Sequence, residues 1–384
     1  MRNLLIIIAF VLAFAGCKER YDPEIESPHT GYLVVEGFIN SSNEKTIIHL
    51  SRTLKLVDSV FYKPERRAHM VVEGDNNDRF ILQETAAGVY ASAQPLPLNI
   101  SAKYRLKIST QGNEYASDFS PVNRTSPIDS ISWKREFNGV QLYVHTHDDK
   151  TNEKSYYRWQ FNETWEIRSS NMSNLQVIYD KDKKPLKVDY KYPDQSYNDS
   201  IFYCWQYFNS SNLILGSTER LEKNVMQHPI TSIPPRSIKL GVLYSIEIKQ
   251  YGMSKKAYDF YLQMKKNTEQ LGSIFDAQPS ELNSNIANLN DPSEIVIGFV
   301  EVNDMQAKRL FIARSQVPDW GYSMFCAEVA VPNHPDSIQA YSMNMPTVPS
   351  EIAPTGAIKS YYSAPAECVD CTLRGSNIKP PFWP

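Results

Sequence analysis

Between residues 31 and 122 the chain falls into short apolar stretches: "YLVVEGFIN", "KTIIHLSRT", "AHMVVEG", "RFILQE", "GVYAS", "KYRLKIST" and "NEYASDF". Each is rich in β-branched or aromatic residues, and Asn, Asp, Gly or Pro separates it from the next, which is the pattern of strands and turns. Around seven strands in about 90 residues predict a β-sandwich of immunoglobulin or fibronectin III type. "EGDNNDRF" predicts a hairpin turn, because Asn and Asp tolerate left-handed backbone angles. Asp75 and Asp78 lie in that turn without the ligand spacing of a calcium loop.

"SPVNRTSPID", residues 120–129, carries two prolines and no periodicity, and marks a domain boundary. Beyond it, Val140, Leu142 and Val144 alternate to one face, with Gln141, Tyr143, His145 and His147 on the other. In "YYRWQFNETWEI", Tyr157, Trp159 and Phe161 share a face. "LYSIEIKQY" turns Tyr244, Ile246 and Ile248 inward and Ser245, Glu247 and Lys249 outward. "EIVIGFVEV" is apolar on both faces and is expected to be a central strand of this second domain. "SKKAYDFYLQMKKNTEQLG" predicts one amphipathic helix near 254–272, with Ser254 as N-cap and Gly272 as its stop. Its apolar face is Ala257, Phe260, Tyr261, Met264, Thr268 and Leu271, expected to pack on the second sheet. The expected class is therefore mainly β. A sandwich at 31–122 is followed by a second β-sandwich-like domain at 126–316 and an irregular Pro/Asn-rich segment at 317–384.

The front end adds an address. Leu4 to Ala15 is an apolar run of 12 residues behind Arg2, too short for a ~20-residue membrane span but the length of a signal-peptide core. Ala15-Gly16-Cys17 ends it, and this resembles the lipobox of bacterial lipoproteins, in which the cysteine is acylated and becomes the new N-terminus. Residues 1–16 then read as a signal peptide, Cys17 as the lipidation site, and 17–30 as a polar tether. Acyl chains contribute ~0.8 kcal/mol per buried methylene, so two or three of them hold stably.

Composition narrows the function classes. The formal net charge is −3 with no basic block, which argues against nucleic acid. With 15 glycines in 384 residues there is little material for phosphate-cradling loops. There is no G-x-S-x-G elbow, H-E-x-x-H pair, P-loop or dinucleotide fingerprint, so the chain reads as non-enzymatic and without cofactor. Glycosidase carboxylates carry no short motif, so pattern alone does not address that class.

Four cysteines remain beside Cys17: Cys204, Cys326, Cys368 and Cys371. An even number in an extracytoplasmic chain favours disulfides, and four allow three connectivities. Cys368 and Cys371 either pair with each other or each reach back to the body; a redox or metal role is the alternative. His145 and His147, followed by Asp148 and Asp149, are weak metal candidates on a solvent-facing strand edge, and no bound metal is expected. "YKYPDQSYNDSIFYCWQYF" is crowded with aromatics, of which Trp205 reads as core. Tyr190, Tyr192 and Tyr197, set among polar residues, read as interface candidates.

"CWQYFNSSN", the stretch from "LYSIEIKQYGMSKKAYDFYLQMKKNTEQLG" through "SELNSNIANLNDPSEIVIGFVEV" to "KRLFIARS", and the closing "CVDCTLRGSNIKPPFW" resemble a Bacteroidota lipoprotein family known as domain of unknown function 4249. Cys204-Trp205, Gln278-Pro279, Asn285-Ile286 and Cys368-x-x-Cys371 carry the resemblance. It implies an outer-membrane lipoprotein, lipid-anchored and facing the cell exterior, encoded beside a TonB-dependent receptor barrel and serving it in uptake. "CKERYDPEIE" is similar to the charged signal that sends such lipoproteins to the surface. Asp-Ser-Ile/Val recurs with Ser59, Ser130, Ser200 and Ser337, resembling the O-glycosylation sequence of the same bacteria. Two other readings stand beside this one: a stand-alone glycan- or peptide-binding adhesion module, and a glycan- or peptide-cleaving enzyme.

Overall fold

The computed structural model describes residues 31–54, 63–149, 153–269 and 282–384. Cys17, the apolar run before it, Ser59, Leu271, Gly272 and the Gln278-Pro279 pair lie outside the described residues.

The protein is mainly β. In the N-terminal unit, alternation in sequence becomes alternation in burial: along Lys103–Thr110, Tyr104, Leu106, Ile108 and Thr110 are buried and the residues between them are not. Neighbouring strands run in the order Lys103–Thr110, His69–Gly74, Arg79–Ala86, Val89–Ala91, Ile47–Arg52, Leu33–Asn40, Val302–Asn303, Ser120–Asn123. The last pairs back onto the first through Tyr104 and Ser120, so the two layers of the sandwich join into a ring of eight strands. Leu33, Val35, Ile48, Leu50, Met70, Val72, Leu106 and Ile108 fill it. The turn at "EGDNNDRF" forms as expected, with Asn77 left-handed at φ 71° and the Gly74 N–H donating to the Asp78 carbonyl at 2.8 Å. Asp75 and Asp78 are occupied within it, accepting from the Lys103 N–H and the Tyr104 hydroxyl.

Two strands of that ring seam come from far along the chain. "EIVIGFVEV" is buried on both faces only over residues 298–302, with Ile295 exposed, and it lies in the first unit and not the second. Val296–Gly298 runs parallel to Leu33–Val35, and Val302–Asn303 lies in parallel between Ile39–Asn40 and Val122–Asn123. Ile286–Asn288 adds an antiparallel strand to Asn113–Ser117. The segment leaves the second unit because the first sheet is open between Leu33–Asn40 and Ser120–Asn123, and these apolar residues complete it.

The second unit is a sandwich of a three-stranded sheet (Ile128–Glu136, Gly139–His147, Val225–Ile233) on a five-stranded one. The latter runs Tyr203–Asn209, Tyr156–Arg168, Leu243–Met253, Met305–Ala313, with Ile214–Ser217 beside the second of these. Val140, Leu142 and Val144 meet Tyr157, Trp159, Phe161, Ile246 and Ile248 between them, the faces that the alternation assigned. Inside this core Gln250 is fully buried and satisfied: it accepts from the Trp159 indole at 2.8 Å and donates to the Ser126 carbonyl at 2.8 Å. The helix spans Lys255–Glu269, and the Ala257 N–H donates to the capping Ser254 hydroxyl at 3.2 Å. Ala257, Phe260, Tyr261 and Met264 pack against Tyr156 and Leu215 of the second unit and Phe299 and Leu282 of the returning segment. Thr268 departs from the expected face: it is exposed, and its hydroxyl turns back to the Met264 carbonyl.

The C-terminal segment is not irregular throughout. Val329–Pro332, Ile358–Pro365 and Asn344–Ile352 form an antiparallel sheet with the second of these central. It shares a small core with the hairpin Leu175–Tyr179/Pro185–Tyr190 through Leu175, Val188, Val331, Ile338 and Tyr361. Pro346 and Pro349 sit in the outer strand where its register shifts, a position that needs no donated N–H. The prolines mask the strand in sequence without preventing it.

Candidate functional site

The disulfides organise the surface around the C-terminal tail. Cys204 is bonded to Cys371 and Cys326 to Cys368, so neighbouring cysteines of the Cys-x-x-Cys motif reach back to different parts of the body. Bridges that close loops this long, with separations of 167 and 42 residues, typically contribute ~2–4 kcal/mol each. Beyond Cys371 the tail wraps the edge strand Tyr203–Asn209. Trp205 and Ser376 exchange both backbone hydrogen bonds, at 2.8 and 2.9 Å. Trp383 then lies buried, edge-on to Trp205 and Phe311, while the Arg309 guanidinium stacks over Phe382 at 3.6 Å.

The aromatic candidates divide. Tyr190 is half-buried and packs on the hairpin core with Val188 and Tyr361. Tyr192 and Tyr197 are exposed in the loop that follows. Trp205 is buried, as expected. Tyr207, 74% exposed, and Phe208 were missed; the polar "NSSN" that follows them in the sequence is the signal that this strand runs out into solvent.

The histidines face outward and are already engaged. His145 Nε2 lies 2.7 Å from the Ser132 hydroxyl, and His147 lies between Asp129 (2.7 Å) and Asp149 (3.2 Å). The Asp129 carboxylate, through a hydrogen bond and its charge, holds the His147 imidazole above the ordinary histidine value. Among the described residues no group of three or more His, Cys, Asp or Glu side chains is placed to hold a metal ion. Ser130 is exposed on its strand and Ser200 in the short turn Asp199–Ile201, whereas Ser337 is half-buried in the helix Pro335–Ala340.

Where the units meet, Phe38, Arg158, Tyr251, Tyr261, Phe299 and Glu301 leave a gap of only about 10 Å³, too little for a ligand. Burial pushes the Tyr251 hydroxyl up to about 12 and the Glu301 carboxyl above the ordinary range. A cleft of about 320 Å³ opens instead at one end of the second sandwich. Ile238, Tyr322 and Met324 give it apolar walls, and Glu166, Arg168 and Arg314 line it with charge. Arg168 Nε donates to Glu166 at 2.7 Å, so that pair neutralises itself. Lys239, next to Ile238, is turned to the buried Glu163, which also accepts from the Tyr244 hydroxyl at 2.6 Å. Arg314 donates to the Gly241 carbonyl at 3.3 Å and has no carboxylate partner among the described residues.

A sequence profile of the family described as domain of unknown function (DUF4249) matches residues 18–309, well over half of the chain. The chain belongs to this family. The DUF4249 match takes in the ring seam, both sheets of the second sandwich and Cys204, and ends before Cys326, Cys368 and Cys371. No curated protein matches the chain. Among the described residues no helix is long and apolar enough to cross a membrane.

Proposed function

We propose that this DUF4249 protein is an outer-membrane lipoprotein, held by acyl chains on Cys17, facing the cell exterior and serving a TonB-dependent receptor as an accessory or ligand-binding partner. The observation that carries the reading is Ala15-Gly16-Cys17 closing an apolar run immediately before the family match at residue 18. The paired cysteines agree with an oxidising compartment. The body acts by binding, through its tail-braced surface and its cleft. The test is to purify the tagged protein from detergent-solubilised membranes. Recovery of a TonB-dependent barrel, lost when Cys17→Ser releases the protein from the membrane, is expected; absence of any barrel under several growth conditions overturns the reading.

The exposure of Tyr192, Tyr197 and Tyr207 favours a second reading, a stand-alone glycan- or peptide-binding module. Direct affinity on a glycan or peptide array, with no barrel recovered, would select it.

A further inference from the structure

We infer that the cleft beside Arg314 binds a small organic anion, a carboxylate joined to an apolar group. Three properties of the cleft carry this. Its volume of about 320 Å³ is within the range of small-ligand sites, roughly 300–1,000 Å³. Its walls at Ile238, Tyr322 and Met324 accept an apolar body. Its charge is unbalanced in one direction: Glu166 is matched by Arg168, and Arg314 is left over.

A guanidinium carries five N–H donors in a planar fork, and only one of these is directed to Gly241. The others suit the two oxygens of a carboxylate, which such a fork engages side by side. A neutral ligand would gain nothing from this cation, which is exposed and solvated by water without it. A cationic one would meet the Arg168 and Arg314 charges with only Glu166 to offset them. The cleft therefore selects by sign as well as by shape.

This deepens the ligand-binding half of the reading above and rests on it for biological meaning alone. The test uses this protein by itself, so its failure leaves partnership with a barrel standing, and loss of the barrel leaves the test intact. The purified full-length protein is titrated with N-acetyl-leucine and, separately, with its uncharged amide. The carboxylate is expected to bind about tenfold or more tightly than the amide, as a charge-assisted bidentate contact requires. Arg314→Gln, a change at an exposed side chain, is expected to erase the difference. A second arm needs no variant: raising sodium chloride from about 20 to about 500 mM should weaken the carboxylate and spare the amide. Equal binding of the two compounds overturns the inference. So does no saturable binding of N-acetyl-leucine up to about 20 mM, or a preference that survives both Arg314→Gln and high salt.

Discussion

Gly298 lies against the backbone of Val35: a Cβ built on the glycine falls 2.4 Å from the Val35 carbonyl oxygen. The glycine also has φ +153°, outside the range that L side chains readily adopt. Both features follow from the parallel pairing of Val296–Gly298 with Leu33–Val35, which draws the returning segment tight into the ring. Gly298→Ala should therefore cost about 2–4 kcal/mol, combining strain with a forced backbone shift. Urea unfolding followed by circular dichroism measures it. A loss below about 0.5 kcal/mol, the scale of an ordinary surface change, would mean that this seam is not built as described.

The disulfide pairs make a chemical prediction. Peptides from unreduced protein should join Cys204 to Cys371 and Cys326 to Cys368. A ring within the Cys368–Cys371 peptide would contradict the tail's path around the edge strand. Changing Cys204 and Cys371 together to alanine should lower stability by about 2–4 kcal/mol and expose Trp383, seen as a red-shifted tryptophan emission.

What the sequence made legible was local. Period two placed Val140, Leu142 and Val144 inward and His145 and His147 outward, because a half-buried strand writes its faces into every second residue. It also marked a stretch of which residues 298–302 are buried on both sides, yet assigned it to the wrong unit. Its partners Leu33–Val35 lie more than 260 positions earlier, and a parallel pairing across that distance leaves no turn or spacing to read. The C-terminal sheet was hidden for another reason: Pro346 and Pro349 signal a loop by composition, while the bulged outer strand tolerates them. The packing of Tyr190 was not legible because its neighbours in sequence are polar, whereas its neighbours in space are Val188 and Tyr361. The cleft was not legible at all. Arg168, Ile238, Arg314 and Met324 come from four separate segments, and only the fold brings them together.

Glu301 is nearly buried where the first unit, the helix start and the second sheet meet. Desolvation raises its carboxyl above the ordinary value of 4.5, against the opposing hydrogen bond from the Ser254 N–H at 3.3 Å. A folded value above the unfolded one means that the folded form holds this proton more tightly. The stability linked to it is complete below the ordinary carboxylate range and is lost as pH rises through the raised value. Glu301→Gln keeps an oxygen for the Ser254 N–H and removes the titration. Its stability relative to the parent should therefore improve between pH 4.5 and pH 7.5, by about 1 kcal/mol for each unit of displacement. Paired urea titrations at the two pH values read the difference directly. If the gap between variant and parent is constant or moves the other way, Glu301 is ionised within the fold at little cost, and the junction is wetter than its 10 Å³ gap allows.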